Sequence, residues 1–169
     1  MKITFRHLVP IVLLGLAAHA DGDRNRLRAV LVGTEETPAI FTAGSGRLVL
    51  RIADRDSRID FELTYENLSG PPAAAHVHFG QRNVAGGVSF FFCGGSTKPP
   101  CPPTTSGTVT GSVVATDVVG PAAQGIAPGD LAAIIEMMRA GFTYANMHTA
   151  KHAGGEIRGQ IGGRGQNDD

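Results

Sequence analysis

The stretch Arg47–Tyr65 reads RLVLRIADRDSRIDFELTY and has two arms around a polar centre. Apolar residues alternate with polar ones along both arms: Leu48, Leu50 and Ile52, then Ile59, Phe61, Leu63 and Tyr65. A period of two places the apolar side chains of an arm on one face of a β-strand, and the segment Asp54–Ser57 has the composition of a turn. The stretch therefore predicts an antiparallel hairpin with one buried and one solvated face.

Segments on both sides of the hairpin continue this pattern. Short apolar or Val- and Thr-rich runs punctuated by Gly and Pro predict further strands near residues 27–32, 74–79, 88–93, 107–119, 143–149 and 155–161. One helix is predicted over residues 131–140, because Asp130 can cap its start and Gly141 can end it in the left-handed conformation. The predicted fold is mainly β: an antiparallel Greek-key-like β-sandwich or flattened barrel with one short helix.

The N-terminus has the form of an export signal. Basic residues precede an apolar run over residues 8–17, and Ala18-His19-Ala20 provides the small residues that signal peptidase accepts. The run is shorter than a membrane span requires. We predict a signal peptide at residues 1–20 with cleavage after Ala20, and hence a secreted or periplasmic protein. A flexible segment at 21–26, one β domain at 27–162 and a polar tail at 163–169 then follow.

Composition and charge exclude several classes of function. The chain has 169 residues, enough for one domain, and loss of Lys2 and Arg6 with the leader changes its formal net charge from 0 to −2. So weak a field argues against a nucleic acid or an anionic membrane as partner. No later segment is apolar enough to span a membrane. The sequence has no G-x-S-x-G elbow and no phosphate-binding Gly-rich loop, so we assign no catalytic residue and do not expect an enzyme.

The two cysteines, Cys93 and Cys101, both lie in the exported part of the chain. Disulfides persist outside the cytoplasm, and Gly, Ser and Pro residues make the intervening loop easy to close. A Cys-x7-Cys metal site is the alternative, and it would need further ligands nearby. We favour the disulfide.

The histidines are the most informative chemical feature of the mature chain. After the leader is removed, four remain, in two short segments: His76, His78, His148 and His152. His76-Val77-His78 lies on a predicted strand, so both imidazoles face one side, about 7 Å apart at their Cβ atoms. His148 ends another predicted strand and shares a face with Asn146, whereas His152 follows beside glycines and its direction is open.

Two interpretations of these histidines remain at this point. They can ligate a transition metal, and imidazole ligands favour copper or zinc over calcium or magnesium. They can instead be hydrogen-bonded imidazoles in a structural core. We also expect Glu36 and Arg158 to serve structure, with Arg158 pairing with Glu36 or Glu156 and tying the last strand to the rest of the domain.

Three blocks of sequence resemble the chordin-domain (CHRD) family: Gly33–Pro38, Ala74–Gly80, and Gly141–Thr149 followed by Gly154–Ile161. The resemblance covers residues 27–162 and implies an extracellular β-rich module, in particular the short exported bacterial form, which also has a Cys pair followed by Pro. The residues that match the family pattern are Glu36, His76, His78, Asn146, His148, Thr149, Glu156 and Arg158. His152 lies where the family's loop varies, so the resemblance gives it no support.

A weaker, local likeness is to the copper strand of copper-zinc superoxide dismutases, which also reads H-V-H followed by Phe-Gly. The chain lacks the zinc-binding loop of that family, so the likeness allows at most a copper-only site. Three hypotheses follow: an exported module that binds copper (less favourably zinc) through the histidines, a non-catalytic extracellular interaction or structural module, and a copper-only dismutase-like activity. The partners expected are a metal ion or an extracellular protein.

Overall fold

The computed structural model describes residues 24–53, 55–95 and 97–163. The predicted signal peptide, the first three residues of the segment 21–26 and the tail beyond residue 163 lie outside this range. Within it, no helix combines the length and the apolar character that a membrane span requires.

Eight antiparallel strands form one sheet that curls into a nearly closed barrel. Neighbours follow the order β5-β4-β7-β8-β1-β2-β3-β6. This arrangement confirms the predicted mainly β fold and its flattened-barrel form. The strands are β1 Arg26–Val32, β2 Ser45–Ala53, β3 Arg58–Glu66, β4 Pro72–Phe79, β5 Gly87–Cys93, β6 Gly107–Val113, β7 Thr143–Thr149 and β8 Ile157–Ile161.

The hairpin predicted from Arg47–Tyr65 is β2 paired with β3. Their apolar side chains face one another across the ladder, as in the pairs Leu48–Leu63 and Ile52–Ile59, and all of them are buried. Cross-strand apolar pairs of this kind fix the register, because a slip of one residue would turn every buried side chain towards solvent.

The predicted helix, α1, spans Leu131–Arg139. The Asp130 side chain accepts a hydrogen bond from the Ala133 backbone N–H at 3.0 Å, and Gly141 beyond its end has a φ of 78°. Its apolar face packs into the core through Leu131, Ile134, Ile135 and Met138. The strand expected over residues 107–119 is shorter than predicted: β6 ends at Val113, and a 3-10 turn occupies Ala115–Asp117.

The Cys93–Cys101 disulfide closes a loop at the end of β5, next to the seam between the end strands β5 and β6. The disulfide is present, with the two Cα atoms 4.9 Å apart, which confirms the prediction. Between the two cysteines, Lys98 donates to the Ser112 carbonyl of β6 at 2.7 Å and pairs with Asp117 at 2.9 Å. The disulfide loop therefore ties the β5 side of the seam to β6.

The outer face of β4, β7 and β8 is largely covered although it lies outside the barrel: His76, Tyr144, Asn146 and Arg158 are buried, and His78 and His148 are half-buried. On these strands, alternate residues such as Val77, Met147 and Ile157 join the barrel core. The residues between them point away from that core. Loops at 33–44, 80–86 and 150–156 cover these residues and form hydrogen bonds with them. The covered residues are His76, His78, Tyr144, Asn146, His148 and Arg158.

Candidate metal centre

Two paired strands bring three histidines together on this covered face. In the antiparallel β4–β7 ladder, His76 lies directly opposite Asn146. His78 and His148 each lie two residues further along their own strand, so their side chains share that face. The candidate ligand nitrogens of the three imidazoles lie within 4.8 Å of one another. The structure thus gathers three of the four histidines that the sequence singled out.

Backbone carbonyls of the covering loops orient two of the rings. His78 Nδ1 lies 2.8 Å from the Gly86 carbonyl oxygen, and His148 Nδ1 lies 2.9 Å from the Ala153 carbonyl oxygen. Because a carbonyl oxygen can only accept, both Nδ1 atoms donate, and each neutral ring then carries its lone pair on Nε2. The Nε2 atoms of both rings face the same point, Asn146 Oδ1, at 3.2 and 3.1 Å. This is the outer-shell arrangement that prepares imidazoles to bind a metal.

His76 is the most buried histidine of the cluster, with 7% of its surface exposed. Its Nδ1 has no hydrogen-bond partner among the described residues, and its ring lies 4.6 Å from each of the other two imidazoles, centroid to centroid. Burial, reinforced by repulsion from His78 and His148, lowers its pKa to about 3. The ring is therefore neutral at physiological pH, which is the form that binds a metal.

Two side chains, Tyr144 of β7 and Arg158 of β8, stack in turn beneath the His78 ring. The Tyr144 ring stacks on the His78 ring, with their centroids 4.6 Å apart. The Arg158 guanidinium lies over the Tyr144 ring, 3.4 Å from its centroid. The Tyr144 hydroxyl also accepts from the Gly86 backbone N–H at 3.1 Å. Burial lowers the pKa of His78; the Gly86 carbonyl and Asn146 Oδ1, which would both accept from the protonated ring, oppose this lowering only in part.

Arg158 holds two of the covering loops, but its hydrogen-bond partners differ from those we predicted. It donates to Thr37 Oγ1 at 3.3 Å and to the carbonyls of Gln81 and Val84 at 3.0 Å each. The Glu36 carboxyl group attracts the Arg158 guanidinium electrostatically but is not one of these three hydrogen-bond acceptors. The tie between the last strand and the rest of the domain thus runs through neutral oxygens on two loops.

Glu36 lies beside the cluster and faces Asn146. Burial raises the pKa of its carboxyl group to about 7, against the lowering effects of the Arg158 charge and of hydrogen bonds from the Asn146 side chain and the Thr37 backbone. Gly155 makes this approach possible: a Cβ atom at Gly155 would lie 2.5 Å from Glu36 Oε1 and 2.8 Å from Asn146 Nδ2.

Glu156 and Thr149 form a separate hydrogen-bonded network. The buried Glu156 carboxylate accepts from the hydroxyls of Thr149 and Thr42 at 2.7 Å each. It also accepts from the backbone N–H of Ser69 at 2.8 Å and from the Ser69 hydroxyl at 2.7 Å. Burial alone would raise the pKa of Glu156, but these bonds together lower it. Glu156 is therefore an anionic anchor for two loops, and Arg158 is not its partner.

His152 lies in the turn after β7 and is not a member of the three-histidine cluster. Its backbone N–H donates to the Thr149 carbonyl at 3.1 Å, and its own carbonyl accepts from the Gly155 N–H at 3.1 Å. These bonds close the turn that places the Ala153 carbonyl against His148.

Sequence reasoning missed the groups that orient the cluster. The carbonyls of Gly86 and Ala153 carry no signal in the sequence, because every residue has such a group. Gly155 and Tyr144 did carry a signal: both lie inside the two late sequence blocks, and Tyr144 shares the face of Asn146 and His148 by strand alternation.

The comparisons with known proteins agree with the resemblance found in the sequence. A family model described as CHRD domain matches residues 27–161. No curated protein and no solved structure matches the chain.

Proposed function

The chain belongs to the CHRD-domain family, and from that premise we propose that it is an exported module that binds a transition metal, with copper favoured, through His76, His78 and His148. The single observation that carries the proposal is the convergence of these three imidazoles, with the Nδ1 atoms of His78 and His148 engaged by backbone carbonyls. Three imidazoles suit copper or zinc, and copper binds more tightly than zinc to the same ligands.

The hydrogen bonding of His76 distinguishes metal binding from a purely structural role of the cluster. A hydrogen-bonded histidine core would satisfy its buried polar atoms, and His76 Nδ1 is buried with no hydrogen-bond partner in the part of the chain that the structure describes. The Nε2 atoms of His78 and His148 also meet at Asn146 Oδ1, and in the neutral rings a shared cation would satisfy all three atoms. The interaction or structural module is therefore the second candidate.

Calorimetric titration of the mature protein with Cu²⁺ at neutral pH tests the proposal. We expect saturable binding of one ion per chain, lost or severely weakened in a His76→Ala, His78→Ala double variant whose circular dichroism shows it folded. His152→Ala is the matched control, since it removes an imidazole outside the cluster, and should bind like the wild type.

Equal heats for the wild type and the double variant would reject the metal site and leave the interaction module. A superoxide-consumption assay on the copper-loaded protein addresses the third hypothesis. Saturable copper binding without superoxide turnover would keep the site and reject the dismutase-like activity.

Export is the second part of the proposal. Family membership and the Cys93–Cys101 disulfide both support an extracytoplasmic location, because such disulfides form and persist in oxidising compartments. N-terminal sequencing of the protein from its native compartment should find a mature chain beginning at Asp21; a chain that retains Met1 would contradict cleavage after Ala20.

A further inference from the structure

Asn146 is held in one orientation by the residues on its far side. Its amide nitrogen lies on the side of Glu36: Glu36 Oε1 and Asn146 Nδ2 are 2.5 and 2.8 Å from the position that a Cβ atom would take at Gly155. While Glu36 is ionised, the reversed orientation would place the amide oxygen against carboxylate oxygens, acceptor against acceptor. Gly155 keeps the two groups together, because any side chain there would displace them. The amide oxygen is therefore directed at the histidines.

The atoms that meet at this point all carry lone pairs. The backbone carbonyls fix His78 and His148 as Nδ1 donors, so both Nε2 atoms present lone pairs to Asn146 Oδ1 at 3.2 and 3.1 Å. When both rings are neutral, a lone pair of Oδ1 faces a lone pair of each Nε2, and a cation bound between them would relieve this unfavourable contact.

The two separations between Asn146 Oδ1 and the Nε2 atoms are close to those between neighbouring ligands of one metal ion. Four ligands about 2.0–2.1 Å from a tetrahedral ion lie about 3.3 Å from one another. The two Oδ1–Nε2 distances are close to that value. His76, directly opposite Asn146 in the ladder, provides the remaining ligand within reach of the same point.

We propose that Asn146 Oδ1 is the fourth ligand of the metal centre, which makes the ligand set three imidazole nitrogens and one amide oxygen. This inference rests on the proposed metal-binding function and adds to it the class of ion. An amide oxygen is a hard donor, and a set without sulfur selects a divalent ion, Cu²⁺ or Zn²⁺, over Cu⁺.

Cu²⁺ binding to the Asn146→Leu variant tests the fourth ligand by affinity and by electron paramagnetic resonance. We expect the affinity to fall by at least about tenfold and the g values and copper hyperfine splitting to change. Thr143→Val is the matched control: it is a polar-to-apolar change on the same strand, on the opposite face, at a hydroxyl with no hydrogen-bond partner among the described residues. It should give the wild-type affinity and spectrum.

A second measurement on the unaltered protein keeps the inference testable if Asn146→Leu does not fold. Zn²⁺ is added to wild-type protein carrying ¹³C at the side-chain carbonyl carbon of asparagine. We expect the Asn146 resonance to shift with a one-to-one endpoint, while those of Asn67 and Asn83 stay in place.

The outcomes separate the inference from the function on which it rests. No binding of Cu²⁺ or Zn²⁺ by the wild type would overturn both. Binding by the wild type, with an unmoved Asn146 resonance or with an Asn146→Leu spectrum identical to wild type, would overturn the fourth ligand alone.

Discussion

At the scale of single residues, the candidate centre depends on Gly155 as much as on its histidines. Gly155 has a φ of 127°, a conformation that side-chain-bearing residues rarely adopt. It also leaves the space in which the Glu36 carboxylate and the Asn146 amide meet. A residue with no functional group of its own thus sets the direction of the groups next to the imidazoles.

Gly155→Ala should lower the free energy of unfolding by about 1–3 kcal/mol, because the methyl group adds backbone strain and displaces Glu36 or Asn146. It should also weaken Cu²⁺ binding. Chemical denaturation and calorimetric titration measure the two effects.

Gly154→Ala is the control for this prediction, since a Cβ atom there meets nothing within 4 Å. That variant should match the wild type in both measurements. Equal behaviour of the two alanine variants would show that the space at Gly155 does not matter.

At the scale of elements, the two end strands of the sheet lack a pairing partner on one edge among the described residues and need other contacts to stabilise them. An inner strand is held by hydrogen bonds on both edges, whereas β5 is last in the strand order and pairs with β4 on one edge. The disulfide loop supplies the missing tie, because it starts at the last residue of β5 and carries Lys98 to β6 and Asp117. The disulfide loop thus connects the two end strands through the Lys98 side chain.

Replacing both cysteines by alanine should lower the free energy of unfolding by about 2–3 kcal/mol through the chain entropy of a loop this short, in addition to the packing lost at buried Cys93. Equilibrium unfolding in guanidinium chloride gives the value. A reducing agent should destabilise the wild type and leave the double variant unchanged; reductant sensitivity of the double variant would mean that another group responds.

At the scale of the whole molecule, the buried His76 and Glu36 have opposite effects on how stability depends on pH. The depressed pKa of His76, about 3, means that folding loses stability as pH falls below 6.5, its ordinary value. The raised pKa of Glu36, about 7, has the opposite effect: folding gains stability as pH falls from 7 to 4.5, its ordinary value. In the metal-free protein the two effects offset one another over much of this range.

Glu36→Gln should therefore expose the acid sensitivity of His76. Between pH 6.5 and 4.5 the variant should lose roughly 2–3 kcal/mol more stability than the wild type, because the gain from protonating Glu36 is absent. Below pH 4.5, where that gain is complete, the two curves should run parallel. Unfolding free energies of the metal-free proteins across pH 3–7.5 provide the comparison, and parallel curves throughout would show that Glu36 has an ordinary pKa.

Some of this architecture is determined by the sequence alone, because the responsible interactions are local. Strand alternation in Arg47–Tyr65 fixes the β2–β3 hairpin, and the same alternation places His76 and His78 on one face. The capping of α1 by Asp130 and the closure of the cysteine loop are also decided by residues close together in the chain. These features were predicted correctly for that reason.

Only the tertiary structure decided what surrounds the histidines. Whether His148 joins His76 and His78 depends on the register between β4 and β7, strands about 70 residues apart, and packing of both barrel faces sets that register. Arg158 bonds to loop carbonyls and to Thr37 rather than to Glu36 or Glu156 because three loops fold over its strand, and no local pattern encodes where a loop's carbonyls point. The residues of the centre could be read from the chain, whereas their orientation, and with it the chemistry open to them, arises from contacts between distant segments.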